Sequence, residues 1–147
     1  MKRLGEALAC GLLAATLGHA AQIPAWLDDG IANWNKANAK NQATFVNIKD
    51  AYVWYTVAGS PELTSKDIRT RVYAVAGNAG YANSQDEEIV TTGTPPVASG
   101  PARPKKCWTR SFLRDVQKGS DTTVQRMLTT MVCDDSPNWA VGFRTAQ

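Results

Sequence analysis

The chain has 147 residues, of which 44% are hydrophobic and 20% are charged, and its formal net charge is +3. These values are typical of a single soluble globular domain and exclude disordered, collagen-like and multi-span membrane chains. Because the excess of positive charge is small, nothing in the composition requires a polyanionic partner, and we expect no nucleic-acid partner.

The first 20 residues have the layout of a cleavable export signal. Lys2 and Arg3 form a positively charged start, and an uncharged apolar run of 11 residues follows at positions 7–17. A helix of 11 residues, rising about 1.5 Å per residue, is too short for a hydrocarbon core of about 30 Å. The run therefore favours a signal peptide over a retained anchor, and we expect no transmembrane segment after cleavage.

The residues around position 20 predict where the signal is cut. Gly18 and Ala20 supply the small side chains that a signal peptidase site needs, so residues 21–147 form the predicted mature domain. Cys10 raises the alternative of a lipoprotein, but the position three before it is Ala7, where a lipobox has Leu. The sequence thus predicts an exported protein, periplasmic, on the cell surface or secreted.

Removal of the signal also removes His19, the only histidine, and leaves 14 basic against 12 acidic side chains. A mature chain without histidine excludes Ser-His-Asp and Cys-His catalysis and histidine zinc sites. Cys107 and Cys133 then remain as an even pair in an oxidising compartment, which predicts a disulfide. We therefore expect no enzymatic activity, no cofactor and no metal.

The N-terminal half predicts two helices and a strand or hairpin between them. Leu27, Ile31 and Trp34 recur at helical spacing after Pro24. The segment TFVNIKDAYVWYTVAG is rich in β-branched and aromatic residues and forms either one long strand or a hairpin that turns at Lys49-Asp50.

Thr64 and Asp67 stand three residues apart at the predicted start of the second helix, whose apolar positions are Ile68, Val72, Val75 and Ala79. Gly77 and Gly80 predict its end. A short strand-like run follows at positions 89–91. Four prolines and two glycines within positions 93–104 then predict an extended connector.

The C-terminal third predicts a three-stranded antiparallel meander. CWTRSFLRDV and TTVQRMLTTMVC flank QKGSD, and Cys107 and Cys133 lie equally far from position 120, beside Gly119. Turn chemistry and cysteine spacing therefore favour the same register. WAVGFR follows the turn DDSPN as the third strand. The predicted fold class is α+β, with two helices and an N-terminal strand or hairpin packed against this disulfide-stapled meander.

In that register the two faces of the meander differ in chemistry. We interpret one face as the core, and its members are Cys107, Thr109, Ser111, Leu113, Met127, Met131 and Cys133, joined by Trp139, Val141 and Phe143 if the second turn centres near Ser136. The other face is the candidate binding face, formed by Trp108, Arg110, Phe112, Arg114, Arg126 and Arg144.

Arg114 stands directly opposite Arg126 in this register, and like charges opposed across strands repel. A nearby anion would offset this repulsion, so we expect one beside the pair. One interpretation supplies it from within the chain, as a carboxylate of Asp86, Glu87 or Glu88, or leaves the arginines solvated. The other is a binding surface for an anionic polymer, lipid head group or acidic protein. The five tryptophans also allow two interpretations, since their side chains either pack in the hydrophobic core or form a surface on which sugar rings stack.

The segments RPKKCWTRSF, QRMLTTMVC and NWAVGFR resemble small exported bacterial proteins that are labelled surface-attachment proteins. The resemblance rests on the layout of the mature chain and on the Cys-Trp spacing, and it carries no set of functional residues. It implies a non-catalytic role at the cell envelope. The expected function is therefore envelope binding or surface attachment, with an anionic surface, a polymer or an envelope protein as partner. The alternatives are a periplasmic inhibitor or immunity-type protein, a subunit of an envelope complex, and an enzyme with a carboxylate mechanism.

Overall fold

The structure, a computed structural model, describes residues 23–92, 105–117, 119–121 and 123–146. The signal peptide predicted for residues 1–20 and the connector predicted for residues 93–104 lie outside these ranges. The described chain forms two helices and one seven-stranded antiparallel sheet, which confirms the predicted α+β class.

The two helices form where the sequence predicts them. Helix α1 covers Ala25–Ala37 and buries Leu27, Ile31 and Trp34. Helix α2 covers Ser65–Asn78 and buries Ile68, Val72, Val75 and Ala76. Both helices bury one apolar stripe because residues three and four apart lie on the same side of a helix.

Helix α2 begins with a capping box formed by Thr64 and Asp67. The Asp67 amide donates to the Thr64 hydroxyl at 3.2 Å, and the Thr64 amide donates to the Asp67 carboxylate at 2.9 Å. These bonds satisfy two amides that have no partner within the helix. Because they favour the charged carboxylate, the hydrogen bonds from Thr64 lower the pKa of Asp67.

The strands are β1 (Ala43–Lys49), β2 (Tyr52–Val57), β3 (Asn83–Ser84), β4 (Glu88–Thr92), β5 (Lys105–Gln117), β6 (Thr123–Asp135) and β7 (Asn138–Ala146). Their order in the sheet is β1-β2-β7-β6-β5-β3, and β4 also pairs with β5. The N-terminal segment is a hairpin rather than one long strand. Asp50 and Ala51 form its turn, with φ values of 55° and 68° that match the right-handed twist of the strands.

The predicted register of β5 and β6 is confirmed. Cys107 pairs with Cys133, and Gln117 pairs with Thr123 on either side of the turn. The two cysteines form the predicted disulfide, with 4.1 Å between their Cα atoms. Strand β7 then pairs with β6 and completes the predicted meander, and its other edge pairs with β2. The C-terminal meander therefore lies in the middle of the sheet.

The predicted core face of the meander is wrong. The large core lies between the sheet and the two helices, and the β5 and β6 side chains in it are Trp108, Phe112, Leu128 and Val132. The opposite face of the sheet carries a smaller cluster around the disulfide, with Tyr52, Trp54 and Ala140. Strand β5 has apolar side chains on both faces, so its alternation alone does not decide which face the helices cover.

Strand β7 buries Val141 and Phe143 in the core as predicted, but on the face opposite the disulfide rather than on the same face. Asp135 pairs with Asn138, so the turn consists of Ser136 and Pro137 and is not centred on Ser136. A shift of one position turns every side chain of a strand to the other face. Val141 thus lies opposite Val132, and Trp139 packs near Trp108, with 6.5 Å between ring centroids, rather than beside the disulfide.

Candidate functional site

The structure divides the six residues of the candidate binding face among four surroundings. Trp108 and Phe112 are 9% and 5% exposed and belong to the core beneath the helices. Arg144 lies on the opposite face of the sheet, where its guanidinium stacks 4.7 Å from the centroid of the Tyr52 ring. The six residues therefore do not form one exposed surface, and the two aromatic rings serve the core.

Arg110 is bound within the chain. Its Nε donates to the Gln85 carbonyl at 3.1 Å, and one Nη donates to the Ser84 hydroxyl at 3.0 Å. The guanidinium also stacks 5.0 Å from the centroid of the Tyr73 ring. These contacts hold the segment around β3 against β5, so Arg110 acts as a structural side chain.

The acidic segment before β4 does not neutralise the remaining arginines. Glu87 pairs with Arg69 of helix α2 at 2.6 Å and accepts a hydrogen bond from the Tyr73 hydroxyl. Burial and this bond raise the pKa of Tyr73. The expectation that a carboxylate from positions 86–88 faces Arg114 and Arg126 is wrong for Glu87, which is engaged elsewhere.

Arg114 and Arg126 stand directly opposite each other on β5 and β6, on the helix side of the sheet. One Nη of Arg114 donates to the Ala79 carbonyl at 2.9 Å, just beyond the end of helix α2. Its guanidinium lies 5.7 Å from the centroid of the Tyr81 ring. In the part of the chain that the structure describes, neither arginine forms an ion pair with a carboxylate.

The two arginines line a cavity of about 340 Å³ whose other walls are Pro24, Trp26, Tyr81, Val116 and Thr145. We call this cavity the arginine pocket. The Trp26 and Tyr81 rings lie beside each other, with 5.5 Å between centroids and planes inclined by 53°. Its volume falls within the range of about 300–1,000 Å³ that is typical of small-molecule sites.

Local structure positions both aromatic walls. Trp26 lies in the first turn of α1, next to Leu27, which is buried in the core. Tyr81 follows Gly80, whose φ of 93° ends helix α2 in the left-handed region that glycine adopts without strain. The Tyr81 amide then donates to the Ala76 carbonyl at 3.1 Å, as in a Schellman motif. This turn places the Tyr81 ring against Arg114.

The arginine pocket has the chemistry of an anion site with an apolar wall. Guanidinium groups present planar sets of N–H donors that match carboxylates and phosphates. Within the ranges that the structure describes, no carboxylate of the chain pairs with Arg114 or Arg126. Among the described residues, no group of three or more His, Cys, Asp or Glu side chains is placed to hold a metal ion. No helix within the described ranges is long and apolar enough to cross a membrane.

The opposed arginines can be predicted from the sequence, whereas the places of Trp26 and Tyr81 in the pocket cannot. Trp26 lies beside the apolar stripe of α1, and Tyr81 follows a glycine that indicates only the end of a helix, so neither has a local signal that links it to β5.

Comparison with protein families, curated proteins and solved structures finds no match to the chain. Fold and site therefore define an α+β protein with a basic, aromatic pocket at the ends of its helices.

Proposed function

We propose that the protein is an exported, non-enzymatic protein of the cell envelope that attaches to anionic surfaces or polymers through the arginine pocket. The observation that carries the proposal is the pair of directly opposed arginines, which has no carboxylate partner among the described residues, in a cavity of about 340 Å³. Bringing two cations together is unfavourable, and a bound anion offsets the repulsion. An anion therefore binds more favourably in the pocket than at a single surface arginine, because it also offsets the repulsion between Arg114 and Arg126.

Two further observations support export and a binding role. A disulfide such as Cys107–Cys133 persists in oxidising compartments outside the cytoplasm. The only histidine, His19, lies in the predicted signal, so the mature chain has no imidazole for acid-base catalysis. An envelope-protein partner with an acidic surface would use the same pocket.

The test is adhesion of the mature protein to a carboxymethyl-dextran surface, with uncharged dextran as reference, at rising salt. Wild type is expected to adhere at low ionic strength and to lose adhesion as the Debye length falls from about 10 Å at 0.1 M to about 3 Å at 1 M. Arg126→Ala is expected to adhere several-fold more weakly, because it removes half of the pocket's charge.

Arg144→Ala is the matched control because it removes the same charge from an exposed position on the opposite face of the sheet. If adhesion depended on net charge alone, both variants would lose it equally, and the proposal would be overturned. Equal adhesion of Arg126→Ala and wild type would overturn it as well. Both proteins should give the same far-UV circular dichroism spectrum as wild type, since neither arginine belongs to the core.

A further inference from the structure

A second cavity, of about 170 Å³, lies between helices α1 and α2. Asp29 and Asn33 of α1 and Asn78 at the end of α2 line it. Trp26 lines both this cavity and the arginine pocket. Ala79 also connects the two, because it lines the second cavity and its carbonyl holds Arg114.

The polar side chains of the second cavity are free to bind a ligand. Asn33, Asn78 and Asp29 are exposed, and within the described ranges no side-chain hydrogen bond or ion pair uses them. An asparagine amide offers two donors and an acceptor, and a carboxylate accepts only. This mixture matches a ligand rich in hydroxyl groups, each of which both donates and accepts.

The charges of the two cavities determine how a ligand that spans both would be oriented, with its acidic end in the larger cavity. Arg114 and Arg126 attract an anion into the larger cavity, whereas the Asp29 carboxylate repels one from the smaller cavity. Between the two, Trp26 offers a half-exposed aromatic ring to an apolar surface. A carboxylate or phosphate alone, which is only a few atoms in size, would leave most of the larger cavity and all of the smaller one unfilled.

We infer that the two cavities form one groove for an acidic oligosaccharide, a ligand class that rests on the proposed function. The acidic group of one sugar unit binds between Arg114 and Arg126, and the apolar face of that unit lies against Trp26. The hydroxyl groups of a neighbouring uncharged unit bind Asn33 and Asn78. The acidic group is a carboxylate or a phosphate ester, since guanidinium groups bind both.

The experiment is titration calorimetry of the mature protein with four probes. These are cellobiouronic acid, which joins glucuronate to an uncharged glucose, then free glucuronate, cellobiose and lactose 1-phosphate. Cellobiouronic acid is expected to bind at least ten-fold more tightly than glucuronate, and cellobiose at least a hundred-fold more weakly than cellobiouronic acid. The relative affinities of cellobiouronic acid and lactose 1-phosphate distinguish a carboxylate from a phosphate.

Variants separate the two cavities. Asn33→Ala with Asn78→Ala is expected to reduce the affinity for cellobiouronic acid to that for glucuronate and to leave glucuronate binding unchanged. Asn83→Ala, an exposed asparagine on β3 outside both cavities, is the control and should leave all affinities unchanged. Arg126→Ala is expected to weaken every acidic probe.

The outcomes distinguish this inference from the proposed function. Equal affinities for glucuronate and cellobiouronic acid would overturn the saccharide groove and leave the anion pocket standing. Binding to vesicles of anionic phospholipid, with no binding of either acidic disaccharide, would overturn it in favour of a lipid head group. If the wild-type protein bound none of the anionic probes and did not adhere to carboxymethyl-dextran, the proposed function itself would be contradicted.

Discussion

At the scale of single residues, the two arginines of the pocket have different roles although they are a directly opposed pair. Arg114 is held on one side by the Ala79 carbonyl and on the other by the Tyr81 ring, so it links helix α2 to strand β5. Arg126 has no such contact among the described residues. Arg114 is therefore both a structural and a binding residue, and Arg126 is the cleaner probe of function.

This difference predicts that alanine substitutions of the two arginines have unequal effects on the free energy of unfolding. Arg114→Ala removes a charge-assisted hydrogen bond and an aromatic stack at a partly exposed site, and we expect it to lower the free energy of unfolding by about 1–2 kcal/mol. Arg126→Ala relieves repulsion and should change that energy by less than about 0.5 kcal/mol, or raise it slightly. Urea denaturation of both variants measures the effect. Equal destabilisation would mean that Arg126 also has a partner within the chain.

At the scale of elements, local signals predicted the helices, the register of β5 and β6 and the disulfide, whereas the side of the sheet that the helices cover was predicted wrongly. The Thr64–Asp67 cap, the helical spacing of Leu27 and Ile31, and the cysteine positions are each short-range patterns with one physical meaning. The turn between β6 and β7 was less well determined. DDSPN fits a turn centred on Ser136 or between Ser136 and Pro137, and the two choices put opposite sides of β7 in the core.

The position of the large core on the helix side of the sheet predicts which substitutions are costly. Phe143 is 1% exposed between the sheet and the helices, so Phe143→Ala is expected to cost about 3–5 kcal/mol of unfolding free energy. Met131, on the disulfide side, is only partly buried, and Met131→Ala should cost less than Phe143→Ala. Thermal and urea unfolding of both variants test this. A larger loss for Met131→Ala would contradict the placement of the large core on the helix side of the sheet.

At the scale of the whole molecule, the sheet separates two kinds of chemistry. Its helix side holds the large core and, at the helix ends, the arginine pocket with Trp26 and Tyr81. Its other side holds the disulfide cluster and a buried ion pair between Lys105 and Asp135, 2.8 Å apart. The arginine pair could be predicted from the sequence because it depends only on the register of β5 and β6. The complete pocket depends on how α1 and the end of α2 pack onto β5, which no local pattern encodes.

The disulfide joins the two longest strands, β5 and β6, in the interior of this sheet. Cys107 and Cys133 are 26 residues apart in sequence, and both are fully buried. Closing a loop of this length constrains the unfolded chain by about 3.5 kcal/mol on the chain-entropy account. That is a large part of the roughly 5–15 kcal/mol by which domains of this kind are stable.

We therefore expect reduction to lower the urea midpoint of the mature protein substantially and to leave its folded sheet unchanged by circular dichroism. Cys107→Ala with Cys133→Ala should lower the midpoint at least as far, because it also removes two buried sulfur atoms. Wild type unfolded without reductant should contain no reactive thiol, and the same sample after reduction should contain two. Reactive thiols before reduction would contradict the disulfide. An unchanged midpoint after complete reduction would mean that strand pairing and the helix-side core, rather than the cross-link, stabilise the meander.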